Sequence, residues 1–143
     1  MTPAKSVPLL TIGVALFIAS STALADVVAV VSSRSKVTTL STNQLADIFL
    51  GRTTRFPNGE LAVPIDQAEG SVARDRFYER VAGKTAAQMK AYWSKLIFTG
   101  RGQPPRAVST SGEAKQALGQ NVNAVGYIEQ NFVDASVRVL LTP

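Results

Sequence analysis

The chain has 143 residues, no cysteine, no histidine and a formal net charge of +5. Without cysteine there is no disulfide, thiol nucleophile, lipoprotein start or thiolate metal site, and without histidine the commonest general base and transition-metal ligand are gone. A hydrolase triad and a zinc enzyme are therefore poor readings, and neither a metal nor a cofactor is expected. The basic balance favours anions, acidic envelope polymers or membrane surfaces as partners. Nucleic acid is disfavoured, because the Lys and Arg residues are scattered and lack the aromatic interleaving that single-strand binders use.

Met1 to Ala25 reads as a secretory signal peptide. Lys5 supplies a weak basic start, "VPLLTIGVALFIAS" an apolar run, and "ALA" small residues for cleavage after Ala25. The apolar run is short for a membrane span. Residues 26–143 are then one exported domain of ordinary size, expected in the periplasm and able to bury a core.

"DVVAVVSS" (Asp26 to Ser33) reads as a short buried strand. Ser41 with Gln44 forms a capping-box pattern; Leu45, Ile48 and Phe49 recur at helical spacing, and Gly51 can close that helix. After the Pro57-Asn58-Gly59 turn, "LAVPID" (Leu61 to Asp66) reads as a strand whose proline suggests an edge or an end. Gly70-Ser71 opens the next helix, with Phe77 and Val81 on its apolar face and Gly83 at its close. Thr85 with Gln88 caps a further helix carrying Met89, Tyr92, Trp93, Leu96 and Ile97, so this helix pair is expected to hold much of the core. "GRGQPPRA" (Gly100 to Ala107) reads as an irregular loop. Thr110 with Glu113 caps a short helix that closes near Gly119, and "AVGYIE" and "SVRVLL" are the last two strands. The order strand, helix, strand, helix, helix, loop, helix, strand, strand predicts an α/β layered domain with a largely parallel sheet covered by helices.

Chemistry in such a sheet collects where strands end and helices begin. "DQAEGSVARDRFYERV" (residues 66 to 81) crosses that junction. It would set the backbone N–H groups of Gly70, Ser71 and Val72 at a helix start, where they can face an anion, with the Ser71 hydroxyl as a further donor. The same residues also make an ordinary turn and N-cap. Arg101 and Arg106 flank the proline-rich loop as part of an anion cleft, a partner surface or a plain basic loop. Tyr127 fits either the core or a strand end near a cleft. Asp66 and Glu69 are a weak signal for a general acid/base pair, and no catalytic residue is expected.

"LADIFLGRTTRFPNGELAVPIDQAEGSVARDRFY", "YWSKLIFTGRGQPPR" and "NAVGYIEQ" together resemble the substrate-binding proteins of phosphate ABC transporters, in particular their short, exported, single-domain relatives. The resemblance spans roughly Val27 to Val139. It implies one lobe of a type II periplasmic-binding-protein fold, a periplasmic location, and a solute-binding function with phosphate as the first ligand. The family's phosphate loop, Arg-Ala-Asp-Gly-Ser-Gly-Thr, falls on Gln67 to Ala73. Gly70 and Ser71 match, Glu69 takes the acidic position, Gln67 replaces the arginine, and Val72-Ala73 replace Gly-Thr. The lost arginine is a bidentate, charge-assisted contact, for which Arg74 or Arg76, in the first turns of the helix, are the candidate substitutes. The resemblance thus implies a ligand site of Gly70, Ser71 and Val72, with Gln67 and Arg74 secondary. The full family fold has two lobes, so a single lobe would dimerise, bind an anion on an open face, or serve as an interaction module that docks on a sensor, transporter or envelope partner.

Overall fold

The structure is a computed structural model that describes residues 3–6, 8 and 26–143. The expected signal segment falls largely outside the described residues. No helix among the described residues is long and apolar enough to cross a membrane.

The elements run β1 (Val27–Ser32), α1 (Thr42–Phe49), β2 (Val63–Gln67), α2 (Val72–Ala82), α3 (Ala86–Phe98), β3 (Arg106–Val108), α4 (Ser111–Gln120), β4 (Ala124–Glu129), a 3-10 turn (Gln130–Phe132) and β5 (Val137–Leu141). The strands form one sheet in the order β3-β2-β4-β1-β5. β2 runs parallel to β3 and β4, while β1 runs antiparallel to β4 and β5. Four strands therefore share one direction, and β1, interior and next to the edge strand β5, is reversed among them. The sheet is thus mixed, with two parallel and two antiparallel pairings, rather than largely parallel.

Helices cover both faces. Val27, Ala29 and Val31 of β1 join the core beneath α1 and α2, while Val28 and Val30 join the core beneath α4. Burial on both sides is why β1 reads as unbroken valine rather than as an alternating strand.

The helix ends follow their capping residues. The Ser41 and Thr85 hydroxyls each accept the N–H three residues on, and Gln44 and Gln88 return a side-chain acceptor to the cap. At α4 the box is half made: Thr110 accepts from Glu113, but the Glu113 carboxylate takes the Ser109 N–H instead, at 2.7 Å.

One further expectation needs correction, and two become sharper. The stretch taken as loop through Ala107 ends in strand β3, where Arg106 and Ala107 pair with Ile65 and Asp66. The Pro-Pro pair has no N–H to give a ladder, so the strand can begin only after it. β2 is interior, and of the two readings of its proline the strand end holds, since Pro64 is the second residue of the strand. Its Pro64 is tolerated because β3 reaches only Ile65 to Gln67 and leaves the strand open beside the proline. The α2–α3 pair joins the core as expected, but unequally: α2 buries Ala73, Phe77, Tyr78 and Val81, whereas α3 buries Met89 and Trp93. α3 packs on α2 and on the end of α1, where the Tyr92 hydroxyl donates to the Leu50 carbonyl at 2.6 Å. Ile97 and Phe98 at its last turn are 54 % and 92 % exposed.

Candidate functional site

β2 delivers two polar side chains, Asp66 and Gln67, into the protein at its carboxyl end; both are 3 % exposed. The Asp66 carboxylate accepts from the Gln67 N–H at 2.8 Å, from the Tyr78 hydroxyl at 2.7 Å and from the Tyr127 hydroxyl. The Arg74 guanidinium, itself buried, lies 3.6 Å from the carboxylate and over the Tyr78 ring. Tyr127 is fixed in turn by stacking on Phe77, centroid to centroid 4.0 Å. Burial first, and the Asp66 charge second, push both tyrosine hydroxyls far above their ordinary ionisation range.

Gln67 is equally committed. Its amide donates to the Ser111 hydroxyl at 3.2 Å and to the Tyr127 carbonyl at 3.1 Å, and its oxygen accepts from the Ser71 hydroxyl at 3.1 Å. Ser71 caps α2 by accepting from the Arg74 N–H at 3.2 Å. Gly70 holds φ at +86°, which lets the chain turn from β2 into the helix, and open space lies where a side chain would stand. The N–H groups of Val72 and Ala73 at the helix start have no partner among the described residues.

Beside this junction lies a cleft of about 330 Å³. Asp66, Gln67 and Arg74 form its inner end, Trp93 and Ile97 one wall, and Pro104 and Pro105 contribute from the loop before β3. Glu69 and Lys90 add one charge of each sign. With the Arg74–Asp66 pair, the four charges cancel. The Trp93 indole N–H in this wall is buried without a hydrogen-bond partner.

The five expected site residues therefore divide. Gln67 and Arg74 line the cleft but are bound into the interior. Gly70 and Val72 are exposed outside it, and Ser71 joins the two groups through its bonds to Gln67 and Arg74. Asp66 and Glu69 differ in setting: Asp66 is buried and saturated with donors, and Glu69 is solvent-exposed. Tyr127 is a core residue rather than part of the cleft wall, fully buried within β4 with its hydroxyl on Asp66. Tyr78, Ser111 and Lys90 were not singled out from sequence. No local pattern brings Ser111 or Tyr78 to β2.

No family model matches the chain, and no curated protein matches it. Solved structures do. One is described as a phosphate ABC transporter substrate-binding protein with bound phosphate, from Clostridium perfringens: TM-score 0.62, 24% identity, over 81% of this chain and 44% of that one. Another is described as an ABC-type phosphate transport receptor from Vibrio cholerae: TM-score 0.63, 22% identity, over 82% of this chain and 47% of that one. The chain thus has the α/β fold of phosphate-transport substrate-binding proteins and spans less than half the length of these neighbours.

Proposed function

We propose that residues 26–143 form an exported, periplasmic solute-binding lobe that takes a small oxyanion, phosphate first, at the β2–α2 junction. The observation that carries this reading is the open start of α2. There Gly70 is held left-handed, the Val72 and Ala73 N–H groups are unpartnered, and the Ser71 hydroxyl sits between them and the interior. A neighbour of the same fold, solved with phosphate bound, supports the ligand class. A membrane transporter or sensor is the corresponding partner, and no catalytic step is assigned.

The same geometry sets the strength. Arg74 is neutralised by Asp66, and Gln67 occupies the Ser71 hydroxyl. Binding then rests on backbone N–H groups without a charge-assisted side-chain contact, and each such missing contact weakens it by about 1.5–3 kcal/mol. Affinity in the millimolar range is the expected result. Amide NMR tests the reading: phosphate titrated into residues 26–143 should shift the Gly70, Ser71, Val72 and Ala73 resonances together with one saturation curve. Shifts confined to exposed Lys and Arg neighbours would count against it.

A second reading is a lobe that has kept the fold and lost the ligand, and now docks on an envelope partner. The observation favouring it is the internal saturation of Asp66, Gln67 and Arg74, which leaves the cleft without net charge.

A further inference from the structure

The segment from Lys84 to Arg106 carries five cations, Lys84, Lys90, Lys95, Arg101 and Arg106, and no Asp or Glu. Elsewhere cations are engaged: Lys36 with Glu60, Arg52 with Asp47, Arg80 with Asp26, Lys115 with Asp134. Arg138 holds the carbonyls of Ser33, Ser35 and Val37. In the Lys84–Arg106 segment, Lys84 lies over the Tyr92 ring. Lys90, Lys95, Arg101 and Arg106 make no ion pair or side-chain hydrogen bond among the described residues.

The same segment carries the most exposed large apolar side chain, Phe98. α3 turns Met89 and Trp93 inward. At 3.6 residues per turn its opposite face carries Ala87, Lys90, Ala91, Ser94, Lys95 and Phe98, all exposed. Small side chains lie along the middle, a lysine stands on either side, and Phe98, 92 % exposed, projects at the end beside Ile97.

We propose that this face of α3, with the loop to Arg106, docks on an anionic phospholipid surface. Phe98 and Ile97 enter the boundary between headgroups and acyl chains, and Lys90, Lys95 and Arg101 meet the headgroup phosphates. Charge complementarity names the partner, since Lys90, Lys95, Arg101 and Arg106 are exposed and the segment that carries them has no carboxylate. Relief favours lipid over an acidic protein. A stable protein interface needs about 800 Å² of matched surface on each side, and one ring on a helix face of small side chains offers no such match. A bilayer needs none: lysine stems extend to the phosphates while an aromatic ring buries itself. The inference stands apart from the anion site at the β2–α2 junction and survives its failure.

Residues 26–143 contain all the strands and helices described and both cores, so they are the unit to test. In vesicle flotation at low salt, the protein should bind vesicles of phosphatidylglycerol and phosphatidylcholine and ignore pure phosphatidylcholine. Phe98→Ser should weaken partitioning about tenfold, the effect of withdrawing one large apolar side chain. Lys95→Glu or Arg101→Glu should each weaken it at least about fivefold, whereas Lys36→Glu, the same charge change in an ion-paired setting elsewhere, should leave it unaltered. A Phe98→Trp variant should be quenched by brominated phosphatidylglycerol, while buried Trp93 in the parent protein is not. Absence of binding to anionic vesicles, full binding by Phe98→Ser, or equal binding to soluble polyglutamate would overturn the proposal, the last in favour of an acidic protein partner.

Discussion

Removing the Asp66 carboxylate should be the most damaging single change near the cleft. Asp66→Ala leaves the Tyr78 and Tyr127 hydroxyls without their acceptor and the buried Arg74 guanidinium without its counter-charge. The side chains of Asp66 and Arg74 are 5 % and 7 % exposed, so water cannot easily take over. Breaking a buried pair from one side costs about 3–5 kcal/mol, because the remaining charge keeps its desolvation penalty. Against a total stability of about 5–15 kcal/mol for a domain, that removes a large share. With a urea slope of about 1.5 kcal/mol/M, the midpoint should fall by about 2–3 M. Arg74→Met in the same background should restore part of the loss, since it deletes the orphaned charge while keeping an apolar stem over Tyr78. Urea unfolding followed by circular dichroism measures both. A loss below about 1 kcal/mol for Asp66→Ala, or no recovery with Arg74→Met, would refute the view that the pair holds the end of β2 to α2.

Three further outcomes follow from the same geometry. Tyr78 and Tyr127 stay protonated in the fold well beyond the unfolded value of about 10, so their contribution is complete below that pH and is lost as pH rises above it. Each should add a downward slope of about 1.4 kcal/mol per pH unit above pH 10, and Tyr127→Phe should flatten the slope in urea titrations from pH 9 to 11. Gly70→Ala and Gly51→Ala both force a side chain into positive φ, at about 1–2 kcal/mol each. Only at Gly51 does the new Cβ also meet Trp93, at 3.3 Å, so thermal unfolding should show the larger loss there. Ser71→Ala should cost about 1 kcal/mol through the lost α2 cap, with more lost if the Gln67 oxygen stays unpaired.

Much of the fold was legible because it rests on local rules. Ser41, Ser71, Thr85 and Thr110 all cap helices, Gly83 closes α2 in the left-handed region, and the valines of β1 form a buried interior strand. What escaped is non-local. A three-residue strand such as Arg106–Val108 has no period of its own and exists because β2 presents a ladder to it. The exposure of Ile97 and Phe98 could not be read from α3, whose pattern is amphipathic but whose neighbour is α2 rather than the sheet. At the site, the loop "QAEGSVA" was found from its glycine, its serine and its place after a strand. That Gln67 and Arg74 face inward depends on Ser111 and Tyr127, which lie far along the chain, and on Tyr78 one turn beyond Arg74, whose hydroxyl reaches Asp66.

The most direct test of the proposed function is calorimetric titration of phosphate into residues 26–143 at low salt and neutral pH, with sulfate as comparison. Ser71→Asp is the informative variant. Its carboxylate can still cap α2, so the fold is kept, but it sets a negative charge where the anion should sit. Saturable millimolar binding by the parent protein that vanishes in Ser71→Asp is the predicted result. No heat at millimolar phosphate, or the same isotherm in both proteins, would contradict the assignment of the β2–α2 junction as an anion site.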